Sequence, residues 1–296
     1  MDGNLTSPLS SERRVPGSQR RSETTAGEGA AAIGMMQTDS RSLSHIYFLE
    51  AKYEFLKVIR MPAYAIPTIT FPMVFYVMFG LSMGGGQGMG ALGTTIATYL
   101  LATYGAFGVI GASLFGFGIG IAMERGQGWL EVKRATPMPI GAYFSAKIVM
   151  ALLFSAIVVG GLFILGALFG DARLDALVWL QLFGVLIAGA IPFCAFGLAI
   201  GYFAGPNSAP PIVNLIYLPM AFASGLWIPI DFLPNFVKAM APWLPPYHLA
   251  QLALGTFGAS RGGTPMGHVA ALVGFTVLFL VLATIGYYRD EGKMYG

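Results

Sequence analysis

Side chains able to do covalent chemistry are few in this sequence, and they are scattered. The three histidines, His45, His248 and His268, belong to three separate segments. Each therefore reads as an interfacial side chain rather than a ligand. The single cysteine, Cys194, lies in an apolar run. One cysteine excludes an internal disulfide and a multi-cysteine metal site, and it reads as a packing residue. There is no phosphate-binding loop ending in Gly-Lys-Ser/Thr and no HExxH pair. No catalytic, cofactor-binding or metal-binding residue is therefore assigned. The informative set of charges is Glu124 to Arg134, ERGQGWLEVKR, closed by Thr136-Pro137. Glu124, Arg125, Glu131, Lys133 and Arg134 are expected to face water. Trp129, Leu130 and Val132 are expected to grip a membrane or a partner. What such a segment can supply is an electrostatic handle.

The elements flanking that handle are apolar. The chain is 55% hydrophobic and 10% charged, against roughly 25% charged for a soluble domain. Asp, Glu, Lys and Arg are absent from Pro62 to Met123, Ile148 to Gly170, Ala176 to Ile230 and Gly262 to Tyr288. A spanning helix needs about 20 apolar residues, so each block holds one span or two. The expected architecture is all-α and membrane-embedded, with six spans near 62–82, 96–123, 143–169, 177–203, 209–227 and 267–288. Residues 1–43 read as a disordered extension rich in Ser, Gly, Ala and Arg. No apolar run before Ile46 resembles a signal peptide. Residues 44–296 make the transmembrane domain. It opens with a helix in which Glu50, Glu54 and Lys57 share one stripe beside apolar positions. This is the pattern of an amphipathic helix in the membrane interface. Between spans five and six, Ile228 to Pro265 carries Pro229, Pro234, Pro242, Pro245 and Pro246. They forbid one continuous helix and leave two short helices in a re-entrant element packed against protein.

Fourteen of the seventeen Lys and Arg residues fall on one face of this topology. The bias places both termini in the cytoplasm. It also accounts for a formal charge of +3 without nucleic acid. No acidic or basic side chain is expected deep in a span, which argues against an ion-coupled carrier. Small residues at four-residue spacing, Gly108, Ala112, Gly116 and Gly120, then Gly197, Gly201 and Gly205, predict close helix packing. Asn214, between Pro211 and Pro219, is the one amide well inside a span. It can line a path or bond across helices.

These residues together resemble the membrane subunit of ABC-2-type transporters. The family pattern E-R-x-x-G-x-L-E…A-T-P after the second span is matched by Glu124-Arg125, Gly128, Leu130-Glu131 and Ala135-Thr136-Pro137. Arg60-Met61-Pro62 resembles the basic-proline entry to the first span. Ser224-Gly225-Leu226-Trp227-Ile228-Pro229 resembles the exit from the fifth, followed by Leu233-Pro234 and Ala241-Pro242-Trp243-Leu244-Pro245. The resemblance runs from about Ser44 to the C-terminus and is nearest to drug-type exporters over Phe222 to Leu254.

It implies a permease in the bacterial inner membrane, paired with a second permease copy or paralogue. Two separate ATPase subunits would bind ATP and Mg, with no cofactor on this chain. Glu124, Arg125, Trp129, Glu131, Lys133 and Arg134 would couple to the ATPase. Tyr104, Phe107, Phe115, Asn214, Tyr217 and Met220 would line the path of an amphipathic drug, lipid or glycolipid. The alternative is a secondary membrane carrier.

Overall fold

The computed structural model describes residues 40–82, 94–135 and 138–294, with side chains over 43–82, 94–133, 135 and 138–290. The disordered extension expected at 1–43 lies largely outside the described residues. So do most of the glycine-rich loop after the first span and the Thr136-Pro137 stop. Tyr47–Gly296 is one compact unit, and Met1–Ile46 is a second, of which only the helical residues from Ser40 are described.

The described residues are helical, with no β-strand among them. Helix α1 is Ser40–Ile59. Helix α2 runs Pro62–Leu81, with Pro62 in its first turn and a π segment over Tyr76–Leu81. Proline is favoured at that first position because its missing N–H would have no partner there anyway. Helix α3, Ile96–Gly126, starts where the Thr95 hydroxyl accepts the Thr98 N–H at 3.1 Å, an ordinary N-cap. It changes to π geometry over Leu114–Ile119 and returns to α at Gly120. Helix α4 is the short Trp129–Arg134. Helix α5 is Ile140–Phe169, and α6 is Ala176–Phe203 with a break at Gly189. Helix α7 is Ala209–Ala223 and α8 is Asn235–Met240. Helix α9 is Pro245–Gly255 and α10 is Pro265–Met294.

Among the described residues, five helices are long and apolar enough to cross a membrane: α2, α3, α5, α6 and α10. Helix α7 is apolar but has only 15 residues. The sequence reading extended it to Trp227; the chain turns off earlier because Gly225 takes φ +77°. Leu226 N–H then bonds Ala221 O at 3.1 Å and Gly225 N–H bonds Phe222 O at 3.0 Å. This is a Schellman ending, which needs a left-handed residue at that point. The Pro-rich stretch that follows folds as the short helices α8 and α9, with 3-10 turns at Ile230–Phe232 and Ala241–Trp243.

Helix α3 is the axis of the unit, buried along Ala97–Leu114. Its backbone meets that of α6 closely at Gly118, just off the Gly108–Gly120 ladder. A Cβ on Gly197 would stand 3.0 Å from Gly118 N, and one on Gly201 2.9 Å from Gly118 O. The ladder itself receives side chains: Val158 and Pro72 fill against Gly108, Tyr64 and Met150 against Gly116. Helix α10 closes the far side of α6, where Phe196 and Phe279 stack with ring centroids 4.3 Å apart.

Candidate functional site

The charges converge at one end of the bundle and there turn inward. Lys147, in the second turn of α5, is fully buried. Its Nζ donates to Glu54 Oε1 of α1 at 2.7 Å and to Glu124 Oε1 of α3 at 3.1 Å. Lys57 of α1 reaches the same two carboxylates, at 2.8 Å to Glu54 Oε2 and 2.5 Å to Glu124 Oε1. The Tyr143 hydroxyl donates to Glu124 Oε2 at 2.6 Å. Two carboxylates thus face two ammonium groups. A buried ion of either sign is costly unless paired and hydrogen-bonded, and here each has several partners.

Burial by itself would raise the Glu54 pKa, but Lys147 and Lys57 outweigh it and hold that carboxyl below its ordinary value. Burial likewise opposes a charge on Lys57, and Glu54 and Glu124 reverse the effect, raising its pKa. Lys133 of α4 pairs with Glu50 of α1, and its ammonium lies 4.5 Å from the centre of the Tyr143 ring. Gly120 faces this cluster: a Cβ there would stand in ordinary contact, 3.6 Å from Lys147 Nζ.

Arg125, next to Glu124, points to the other side of α3. Its Nε and Nη2 donate to Asp290 of α10 at 2.9 and 2.6 Å. Its Nη1 donates to Gly201 O, in the last turn of α6. Carbonyls of a last helical turn lack intrahelical donors, and the guanidinium supplies one. The two glycines of the segment have separate tasks. Gly126 lets Pro206 approach, since a Cβ would lie 2.4 Å from Pro206 Cγ. Gly128 takes φ +73° and starts α4.

The structure therefore corrects the sequence reading of this segment. Glu124 and Arg125 belong to the end of α3 and are 14% and 16% exposed, so they do not face water. Glu131 does, and Trp129 and Val132 are also exposed, while Leu130 is buried. Lys133 is about a quarter exposed; the side chain of Arg134 lies outside the described residues. Lys147, which read as a flanking basic residue, is buried near the start of α5; it is not deep in the span. On α1 the charged stripe faces the bundle, with Glu54 buried, while Phe48 and Tyr53 face outward. The counter-charges on α3 and α5 explain that inversion.

Further along α3 a cavity of about 320 Å³ opens between α2, α3 and α7. Four residues expected on the substrate path line it: Phe107, Phe115, Asn214 and Tyr217. Phe107 and Tyr217 stack at 5.0 Å, and the Tyr217 hydroxyl donates to Phe107 O at 2.6 Å. Asn214 Nδ2 donates to Pro210 O at 3.1 Å. Among the described residues no charged side chain is in the wall. Tyr104 and Met220 stand outside it. The Tyr104 hydroxyl donates to Trp227 O at 3.1 Å, and Trp227 packs on Phe75 and Phe107 at ring distances of 5.4 and 5.7 Å.

Sequence reasoning missed Lys147, Tyr143 and Asp290 as partners. It also kept apart His248 and His268, whose Nδ1 atoms lie 2.9 Å from each other. The stripe Glu50–Glu54–Lys57 was the one local signal that α1 needed charged company.

Comparison with known proteins shows the family. The ABC-2 type transporter family model matches residues 47–258. A Bacillus subtilis (strain 168) protein, YvfS, named as a transport permease, is 28% identical over 238 residues. That match covers 78% of this chain and 92% of the relative. An apolar helical bundle with a charged end, matched by that family over most of its length, is a multi-pass transport protein: the chain belongs to the ABC-2 type transporter family.

Proposed function

We propose that this chain is the permease subunit of an ABC exporter in the cytoplasmic membrane, moving an amphipathic molecule outward. A separate ATPase subunit would bind ATP and Mg and dock on the charged end. Trp129, Glu131, Val132 and Lys133 of α4 offer it the exposed contact, with Arg134 beside them in sequence. Glu124 and Arg125 pass the push into α3. Helix α7, with the residues that follow it, completes a sixth crossing, so both termini lie in the cytoplasm. Helices α8 and α9 dip into the outer leaflet; the exposed Phe232, Phe236, Met240 and Trp243 of α8 and its flanking turns support this, with the mostly buried α9 packed behind them. A second permease copy or paralogue would close the open side of the cavity. A drug, lipid or glycolipid would present its apolar portion to Phe107, Phe115 and Tyr217 and a polar group to Asn214.

The observation that carries this reading is that α3 bears both ends of the machine. Phe107 and Phe115 line the cavity, and Glu124 and Arg125 end the same helix among fixed charges. Displacement of one end must move the other, because packed helices shift between discrete arrangements. The test is reconstitution with the ATPase that co-purifies with the chain. Substrate-stimulated ATP hydrolysis should fall at least tenfold in Arg125→Ala with assembly preserved. Full stimulation in that variant would refute the coupling assignment.

The buried Lys147 gives the secondary carrier a specific observation of its own, since embedded ionisable groups serve as ion relays. Its ammonium has two carboxylate partners, however, which suits a structural tie. Transport driven by an ion gradient without nucleotide would favour the carrier.

A further inference from the structure

Two histidines twenty positions apart in sequence meet at the end of the bundle opposite the charged cluster. His248 lies on α9 and His268 on α10, with ring centroids 5.2 Å apart and the two Nδ1 atoms at 2.9 Å. The other nitrogen of each ring faces a backbone carbonyl. His248 Nε2 is 3.0 Å from Pro242 O, and His268 Nε2 is 2.7 Å from Gly262 O. A carbonyl oxygen only accepts, so both Nε2 atoms carry hydrogen. A neutral imidazole has one N–H, which would leave two bare Nδ1 lone pairs facing each other. That contact becomes a hydrogen bond only when one proton sits between them. The geometry holds three protons on four nitrogens, a net charge of +1.

We propose that His248 and His268 form a one-proton site that ties α9 to α10 through a proton shared between their Nδ1 atoms, and that losing this proton releases the tie. A second proton is disfavoured. Burial, opposed by the Pro242 carbonyl and reinforced by His268, holds the His248 pKa below its ordinary 6.5, which also makes the shared proton easier to lose. Among the described residues the surroundings supply no unpaired counter-charge. Tyr247 on α9 lies 5.6 and 5.9 Å from the two rings, and Phe275 on α10 is 6.1 Å from His248. Beyond them stand Tyr99 of α3 and the Asp231–Arg261 pair at 2.7 Å, while Lys238 bonds the backbone oxygen of Asp231. The first half of α6, Ala176–Ala188, contains no titratable residue. A metal fits the gap less well, since bonds of about 2.0 Å from each nitrogen at a tetrahedral angle hold the nitrogens about 3.3 Å apart.

The site stands whichever side of the membrane it faces; only its placement on the outer side rests on the permease reading. The chain has three histidines, which makes ¹⁵N-histidine spectroscopy of the full chain in lipid nanodiscs readable. With His45→Gln removing the third, the pair should show both Nε2 atoms protonated and a coupling across Nδ1–H–Nδ1. It should titrate in two steps more than about one pH unit apart, as interacting sites do. In the variant H45Q/H248N the coupling and the second step should both disappear. Two rings that titrate independently in H45Q, or a His268 titration unmoved by H248N, would overturn the proposal. So would a transition metal that co-purifies with H45Q and is lost in H45Q/H248N. If H248N fails to fold, the H45Q spectrum decides alone. None of these readouts depends on transport, so they fail or succeed separately from the permease assignment.

Discussion

Both ends of this bundle are tied by polar side chains, and the ties differ in kind. At one end Glu54, Lys57, Glu124 and Lys147 form a charge-balanced set with Tyr143, and Arg125 grips Asp290. At the other end two imidazoles meet with no carboxylate against them among the described residues. Fixed charges hold α1, α3, α5 and α10 together over most of the pH range. An imidazole pair holds α9 to α10 on terms set by a single exchangeable proton. The difference teaches where each end can yield: the first to force, the second to loss of a proton.

The largest effect should come from unbalancing the charged end. Lys147→Met leaves two carboxylates with one ammonium, and loss of one partner from a buried pair costs about 3–5 kcal/mol. Thermal unfolding in detergent should show that loss, and adding Glu54→Gln should recover part of it. A Lys147→Met variant as stable as the parent would remove the charged end from the comparison. Next in size is the close contact on α3. Gly197→Ala places a methyl 3.0 Å from Gly118 N, and overpacking of this kind costs about 1–3 kcal/mol; the same unfolding measurement checks it.

Acidity separates the ends without mutation. The Glu54 pKa is lowered, so its share of stability is present above the unfolded value near 4.5 and is lost as pH falls through the lower folded value. The Lys57 pKa is raised, so its share is present below about 10.5 and is lost as pH rises through the folded value. Between those limits unfolding at the charged end should be flat with pH, and hydrogen exchange on α1 and α5 would measure it. A pronounced change on α1 between pH 5 and 8 would break the contrast. The smallest effect on stability is expected at the cavity. Asn214 is exposed, so Asn214→Leu should alter unfolding by no more than about 0.5 kcal/mol. It should change which compounds stimulate ATP hydrolysis by the complex.

Much of this arrangement could be read from sequence because lipid imposes long apolar runs. The charge-free blocks located α2, α3, α5, α6 and α10 to within a few residues, and the prolines foretold the short α8 and α9. The missing parts depend on contacts between distant segments. A stripe of charge on α1 marks a face but does not say what covers it, and Lys147 looks like one more basic residue flanking a span. His248 and His268 carry no local sign of each other. Phe107, Phe115, Asn214 and Tyr217 were within reach because α3 and α7 each present them on one face. Tyr104 shares that helix and points elsewhere.

The π segment Leu114–Ile119 has a consequence for the chain's tolerance to length changes. An α-helix turns about 100° per residue, so removing a residue elsewhere in α3 would swing Glu124 and Arg125 away from their partners. A π stretch accommodates one residue more than the α ladder needs. Shortening the chain by one inside Leu114–Ile119 would let it revert to ordinary winding, with both ends of α3 still correctly aimed. The helix carries its own slack, stored where the wall of the compartment that would hold cargo ends, at Phe115, and before the ion pairs that would feel the motor.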